Sequence, residues 1–303
     1  MSLILSTAPH IRTKDTTQRL MLNVIISLLP CTAAGIYFFG LRAALVLAVS
    51  VVSAVLAELV WQKLAHKPVC INDLSAVVTG LLLGLCITPS APWWMVMIGA
   101  FFAIIVVKQL FGGIGDNFLN PALTARAVLL ASWPALMTTH STPFDAVTSA
   151  TPIMTGDKSY LELLLGNVPG AIGETCKIAI LIGFIFLLVT KTIRWEIPVI
   201  SVATAALLGW ALGYDPLNVV LTGGLLFGTV FMATDYVTSP LNRWAQIVYA
   251  IGIGAIVVII RKFGSYPEGV TYAILLMNIA APLLDRVMPQ KIYGCGKAKK
   301  EAK

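Results

Sequence analysis

The chain has 303 residues, 58% of them hydrophobic and only 12% charged, with a formal net charge of +7 and a mean hydropathy of +0.87. Soluble domains carry about twice that charge, roughly 25%, and a compact soluble protein needs a wettable surface that this composition does not supply. The basic residues stand at the ends of apolar runs rather than in one patch, which argues against nucleic acid as a partner and for membrane lipid.

A spanning helix needs about 20 residues at about 1.5 Å rise each. After a leading segment, residues 1–19, apolar runs cover 20–39, 41–64, 74–88, 93–111 and 118–133. The first run is long enough to span and lacks a small-residue cleavage site, so it reads as a retained helix and not a signal peptide. Residues 135–173 form the one long polar loop. Five further runs cover 175–190, 197–212, 217–233, 244–260 and 270–287, and a basic tail follows at 289–303. The expected fold class is all-α, a polytopic membrane protein of about ten transmembrane helices.

Charge sets the expected orientation. With the N-terminus inside, the inner segments and helix ends hold Arg12, Lys14, Arg19, Lys63, Lys67, Lys108, Lys191, Arg194, Arg243, Arg286 and the tail lysines. Only Arg42, Lys158, Lys177, Arg261 and Lys262 fall outside. The positive-inside bias then predicts both termini in the cytoplasm and the long loop on the outer side of a bacterial cytoplasmic membrane.

The chain also repeats itself. Val78-Thr79-Gly80-Leu81-Leu82-Leu83-Gly84 resembles Leu221-Thr222-Gly223-Gly224-Leu225-Leu226-Phe227-Gly228, and Lys108-Gln109-Leu110-Phe111-Gly112-Gly113 resembles Arg261-Lys262-Phe263-Gly264-Ser265. Residues 20–134 and 174–288 therefore read as two five-helix repeats, inverted because each holds an odd number of spans. Paired short helices point to a site near the midplane at the repeat interface.

Five cysteines, Cys31, Cys70, Cys86, Cys176 and Cys295, show no CxxC-like spacing for an iron–sulfur centre, and no phosphate-loop, HExxH or GxSxG motif occurs. No metal site is expected. Glu58, Lys108, Asp235 and Asp285 lie near expected span ends, where solvation is the simplest reading. Arg126 is different: it sits mid-segment after Asn120-Pro121 and must face protein, water or a bound anion.

The long loop contains Asp145-Ala146-Val147-Thr148-Ser149-Ala150-Thr151. This resembles the motif that an FMN transferase recognises when it moves FMN from FAD onto a threonine hydroxyl. The resemblance makes Thr151 the acceptor, a phosphoryl threonine carrying covalent FMN, with Asp145, Thr148 and Ser149 as recognition residues. The usual Gly after Asp is Ala146 here, which keeps that position small. From average residue usage such a string arises by chance in about one chain per thousand.

Ala8-Pro9-His10-Ile11-Arg12, followed by a span opening Leu20-Met21-Leu22-Asn23-Val24-Ile25, is similar to the start of the RnfD family of the Rnf complexes. That resemblance implies an electron-transfer subunit of an ion-translocating (Na⁺ or H⁺) ferredoxin:NAD⁺ oxidoreductase, catalytically incomplete alone. It implies partners too: iron–sulfur subunits, a second covalent-flavin subunit, and the FMN transferase during maturation. It further implies a second, non-covalent flavin, riboflavin in the related complexes, for which Asn120 and Arg126 are the candidate residues. The alternatives are an NqrB-like component of Na⁺-translocating NADH:quinone reductase, which has a longer N-terminal extension, and a redox-inactive channel resembling urea transporters. A channel has no use for the motif ending in Thr151.

Overall fold

A computed structural model describes residues 16–144, 148–149, 159–264 and 269–289. Asp145, Ala146, Val147, Ala150 and Thr151 lie outside the described residues, as does the basic tail from residue 290. The described chain is helical, with one two-stranded ribbon.

Helix α1 (Thr17–Leu64) holds 48 residues, about 72 Å if straight. That is more than twice the roughly 30 Å of hydrocarbon in a bilayer. It is broken at Gly40, whose φ of 64° and ψ of −149° suit only a residue without a β-carbon. The two expected runs 20–39 and 41–64 thus meet at one glycine.

The second half of α1 packs on α2 (Ser75–Leu85), an 11-residue helix buried along nearly its whole length. Contact is close because the facing residues are small: a β-carbon on Gly80 would lie 2.8 Å from Val51 Cα, and the Ser50 hydroxyl donates to the Gly80 carbonyl at 2.6 Å. Helix α3 (Trp93–Phe101) runs on into a π-helical stretch, Phe102–Gln109. Such stretches are rare and concentrate at functional sites. Helix α4 (Pro121–Ser132) is started by Asn120, whose Oδ1 accepts from the Ala122 and Leu123 N–H groups at 3.1 and 3.2 Å, with proline at the first position.

Helix α5 (Pro134–Thr138) leads to the ribbon of β1 (His140–Ser141) and β2 (Thr148–Ser149), antiparallel with His140 opposite Ser149 and Ser141 opposite Thr148. Helix α6 (Tyr160–Leu165) follows. Beyond it the expectation of a wholly outer, polar loop to residue 173 fails. Ala171, Ile172, Glu174 and Thr175 are buried, and the backbone N–H groups of Ile172 and Gly173 donate to the carbonyls of Ile87 and Leu85 at 3.2 and 2.7 Å. Non-helical backbone can be buried only if its polar groups find partners, and the frayed end of α2 provides them.

Helices α7 (Lys177–Val189) and α8 (Glu196–Ala211) come next. The expected run 217–233 is not one helix. It divides into α9 (Pro216–Leu221) and α10 (Leu225–Phe227), the latter passing into a second π-helical stretch, Gly228–Met232. The break falls at Thr222–Gly224, where Gly223 has φ 64°. Its exposed carbonyls are answered from a distance: Arg261 donates to Val219 and Thr222 at 2.6 and 2.9 Å, and Lys177 to Gly223 at 3.1 Å. Helices α11 (Arg243–Phe263) and α12 (Val270–Val287) close the chain.

By length and composition, α1, α11 and α12 qualify as membrane-crossing helices, and five shorter apolar helices accompany them. Leucines, isoleucines and valines stand exposed along these helices, Leu41, Leu45, Leu207, Ile279 and Leu283 among them. In water such a surface is unfavourable, whereas in lipid it is the wetted face.

Candidate functional site

Two places gather polar chemistry. The first is the ribbon, which starts the flavinylation motif. Thr148 and Ser149 form β2, and their partner strand is held near the Gly40 break by the Phe144 N–H, which donates to the Phe38 carbonyl at 2.9 Å. Asp145 and Thr151 lie outside the described residues.

The second is an interior cavity of about 90 Å³ where the starts of α2 and α4 meet the second π-helical stretch. Ser75, Thr79, Lys108, Asn117, Asn120 and Asp235 contribute its polar wall, and Leu82, Val230 and Phe231 are among its apolar lining. Asn120 is tied across to the second half of the chain, its Nδ2 donating to the Met232 carbonyl at 3.3 Å. Asn278, with its amide turned to satisfy its neighbours, accepts from the Asn120 N–H at 3.3 Å and donates to the Tyr249 hydroxyl at 2.6 Å. Burial raises the Asp235 carboxyl above the ordinary carboxylate range, against the lowering effect of its bonds from the Val237 N–H and the Thr238 hydroxyl.

Arg126 does not line this cavity. It is buried six residues along α4 from Asn120, where its Nη1 pairs with Glu174 Oε1 at 3.0 Å. Of the alternatives open for it, protein is the one realised. The structure therefore does not bring Asn120 and Arg126 to one surface.

Two residues expected at solvated span ends are instead buried together. Lys108 and Glu58, 3% and 1% exposed, form an ion pair at 2.7 Å. Gln109 Nε2 donates to the same Glu58 oxygen at 2.7 Å, Lys108 also donates to Ser75 Oγ at 2.5 Å, and Ser75 donates on to Asp73 at 2.7 Å. Charges removed from water need such partners. Lys177, expected on the outer side, is also buried and donates to the Glu174 and Gly223 carbonyls. These networks join residues some 50 positions apart, so no local spacing signals them. Among the described residues, no three His, Cys, Asp or Glu side chains form a metal-binding group.

Apolar outer faces, broken helices with satisfied ends and charges paired in the interior define a multi-pass membrane protein with a polar interior. A model of the NQR2, RnfD, RnfE family matches residues 4–294. The chain belongs to this family. It is similar to an RnfD-type component of the Na⁺-translocating ferredoxin:NAD⁺ oxidoreductase complex of Acetobacterium woodii, 49% identical over 314 aligned residues that cover 100% of this chain and 99% of the relative. The corresponding component of the proton-translocating ferredoxin:NAD⁺ oxidoreductase complex of Clostridium ljungdahlii is 40% identical, covering 96% of each chain. That of the ion-translocating oxidoreductase complex of Stutzerimonas stutzeri is 37% identical, covering 93% of each.

Proposed function

We propose that this chain is the membrane-embedded RnfD component of an ion-translocating ferredoxin:NAD⁺ oxidoreductase complex and carries FMN on Thr151 through a phosphoester bond. The observation that carries the reading is the full-length likeness to components of such complexes, 49% identical in the first case, in a chain whose loop holds Asp145 to Thr151 in the flavinylation pattern. When bound, FMN takes up and passes on electrons one at a time. The Thr151 hydroxyl is the acceptor, and Asp145, Thr148 and Ser149 are read by the transferase. The ribbon fits this role, because pairing β2 to β1 presents the motif at the edge of the helices rather than within them.

The helices form ten spans in two inverted five-helix halves in a bacterial cytoplasmic membrane. Both termini are inside and the flavin loop is outside. Partner subunits with iron–sulfur centres and a second covalent flavin complete the translocase, which this chain cannot run alone. A second, non-covalent flavin is part of the proposal, seated at the cavity lined by Asn120 once wall side chains move apart, since about 90 Å³ is below the roughly 300 Å³ of small-ligand sites.

The test is peptide mass spectrometry of protein matured beside its transferase and complex partners. FMN mass on the fragment holding Thr151, and its loss in Thr151→Ala, is the expected result. An unmodified fragment from the parent protein refutes the assignment.

A further inference from the structure

The first half of α1 ends in Tyr37-Phe38-Phe39 just before the Gly40 break. Phe144, directly before the flavinylation motif in sequence, has φ 64°, a backbone region that bulky residues rarely adopt. Its N–H bond to the Phe38 carbonyl holds it there. The rings of Tyr37, Phe38 and Phe144 meet pairwise edge to face, with centroids 5.4, 5.5 and 5.5 Å apart. Edge contact leaves ring faces open, and Tyr37 and Phe144 are 71% and 63% exposed. Beside them lies an open hollow of about 410 Å³, with Arg42, Pro89 and Ser141 on its wall, a volume within the roughly 300–1,000 Å³ of small-ligand sites.

Aromatic residues at a membrane surface are ordinary. A girdle residue, however, needs neither a strained backbone nor a hollow beside it. Strain of this kind persists where surrounding structure holds it, commonly at a ligand site.

We propose that this hollow seats the isoalloxazine ring of the FMN carried on Thr151; the proposal rests on the Thr151 reading above. Chain geometry selects the occupant. Ser141, on the wall, is paired with Thr148, and His140 with Ser149. Two peptide steps separate Ser149 from Thr151 in sequence, a reach of about 7 Å. The phosphate and ribityl arm therefore starts beside the hollow. A planar fused ring offers the surface that exposed aromatic faces accept. Arg42 on the rim supplies a positive charge for the phosphodiester, which carries one negative charge. The ring thus has a docked position on this chain and is not simply carried on a free tether.

The experiment is time-resolved emission anisotropy of the covalent flavin in the purified full chain, matured beside its transferase. Tyr37→Leu and Arg42→Gln lie outside the motif, so both variants accept FMN, and peptide mass spectrometry measures how much. In the parent, the ring tumbles with the protein. Tyr37→Leu lowers the docked-to-free ratio about fivefold, the worth of one aromatic contact, and Arg42→Gln lowers it less. Anisotropy that is free in the parent, or unchanged in both fully flavinylated variants, overturns the docking and leaves the Thr151 reading intact. A parent fragment without FMN on Thr151 overturns both together.

Discussion

Removing the ammonium group of Lys108 tests whether the buried pair with Glu58 holds the first half of the chain together. The two groups are 2.7 Å apart and 3% and 1% exposed. At an effective dielectric constant of about 20, their attraction is about 6 kcal/mol, set against the cost of taking both from water. Lys108→Met leaves Glu58 Oε1 with Gln109 alone, while Glu58 Oε2 already has no hydrogen-bond partner. Loss of one member of a buried pair costs about 3–5 kcal/mol, whereas replacing both with apolar residues is close to neutral. The expected order in detergent unfolding is therefore parent and Glu58→Leu/Lys108→Met together, with each single variant well below them. A double-mutant cycle gives the coupling directly. Additive losses, with the double variant the least stable of the four, refute the buried-pair reasoning.

Three further outcomes follow from particular contacts. Gly80→Ala forces a β-carbon to 2.8 Å from Val51 Cα and 2.9 Å from the Ser50 carbonyl, both backbone atoms, so thermal unfolding should show a loss of about 1–3 kcal/mol. Single cysteines placed at Ser141 and Lys297 should label from opposite membrane faces; labelling from the same face sinks the inverted ten-span arrangement. Acid extraction of folded Thr151→Ala protein should still release flavin, and a flavin-free extract removes the second-flavin site from the proposal.

Hydrophobic runs make most helices legible, including the two that meet at Gly40, because a glycine between two long apolar stretches is a strong local signal. Asn120-Pro121 likewise announces the start of α4. The break at Thr222–Gly224 is not legible, since an unbroken apolar run looks the same whether or not its backbone is helical. What breaks it is distant: Arg261 and Lys177 satisfy the carbonyls that the helix leaves open. Burial of residues 171–175 is hidden for the opposite reason, because Gly, Glu and Thr read as loop while their partners lie on α2 and α4. Arg126 stands out in the sequence as needing a partner, yet its spacing within α4 gives no hint of Glu174, 48 positions away.

The chain leaving the flavin loop is rooted rather than draped. Ile172 and Gly173 grip the end of α2, Glu174 grips Arg126 on α4, and four residues later α7 is under way. A β-carbon on Gly35 of α1 would also lie only 2.9 Å from the Ile172 carbonyl, so there is no slack around this root. The loop therefore acts as a lever whose fulcrum is set between the two halves of the molecule. A partner that pulls on its outer arm pulls on the seam between them, and a shift at the seam tilts the arm in return.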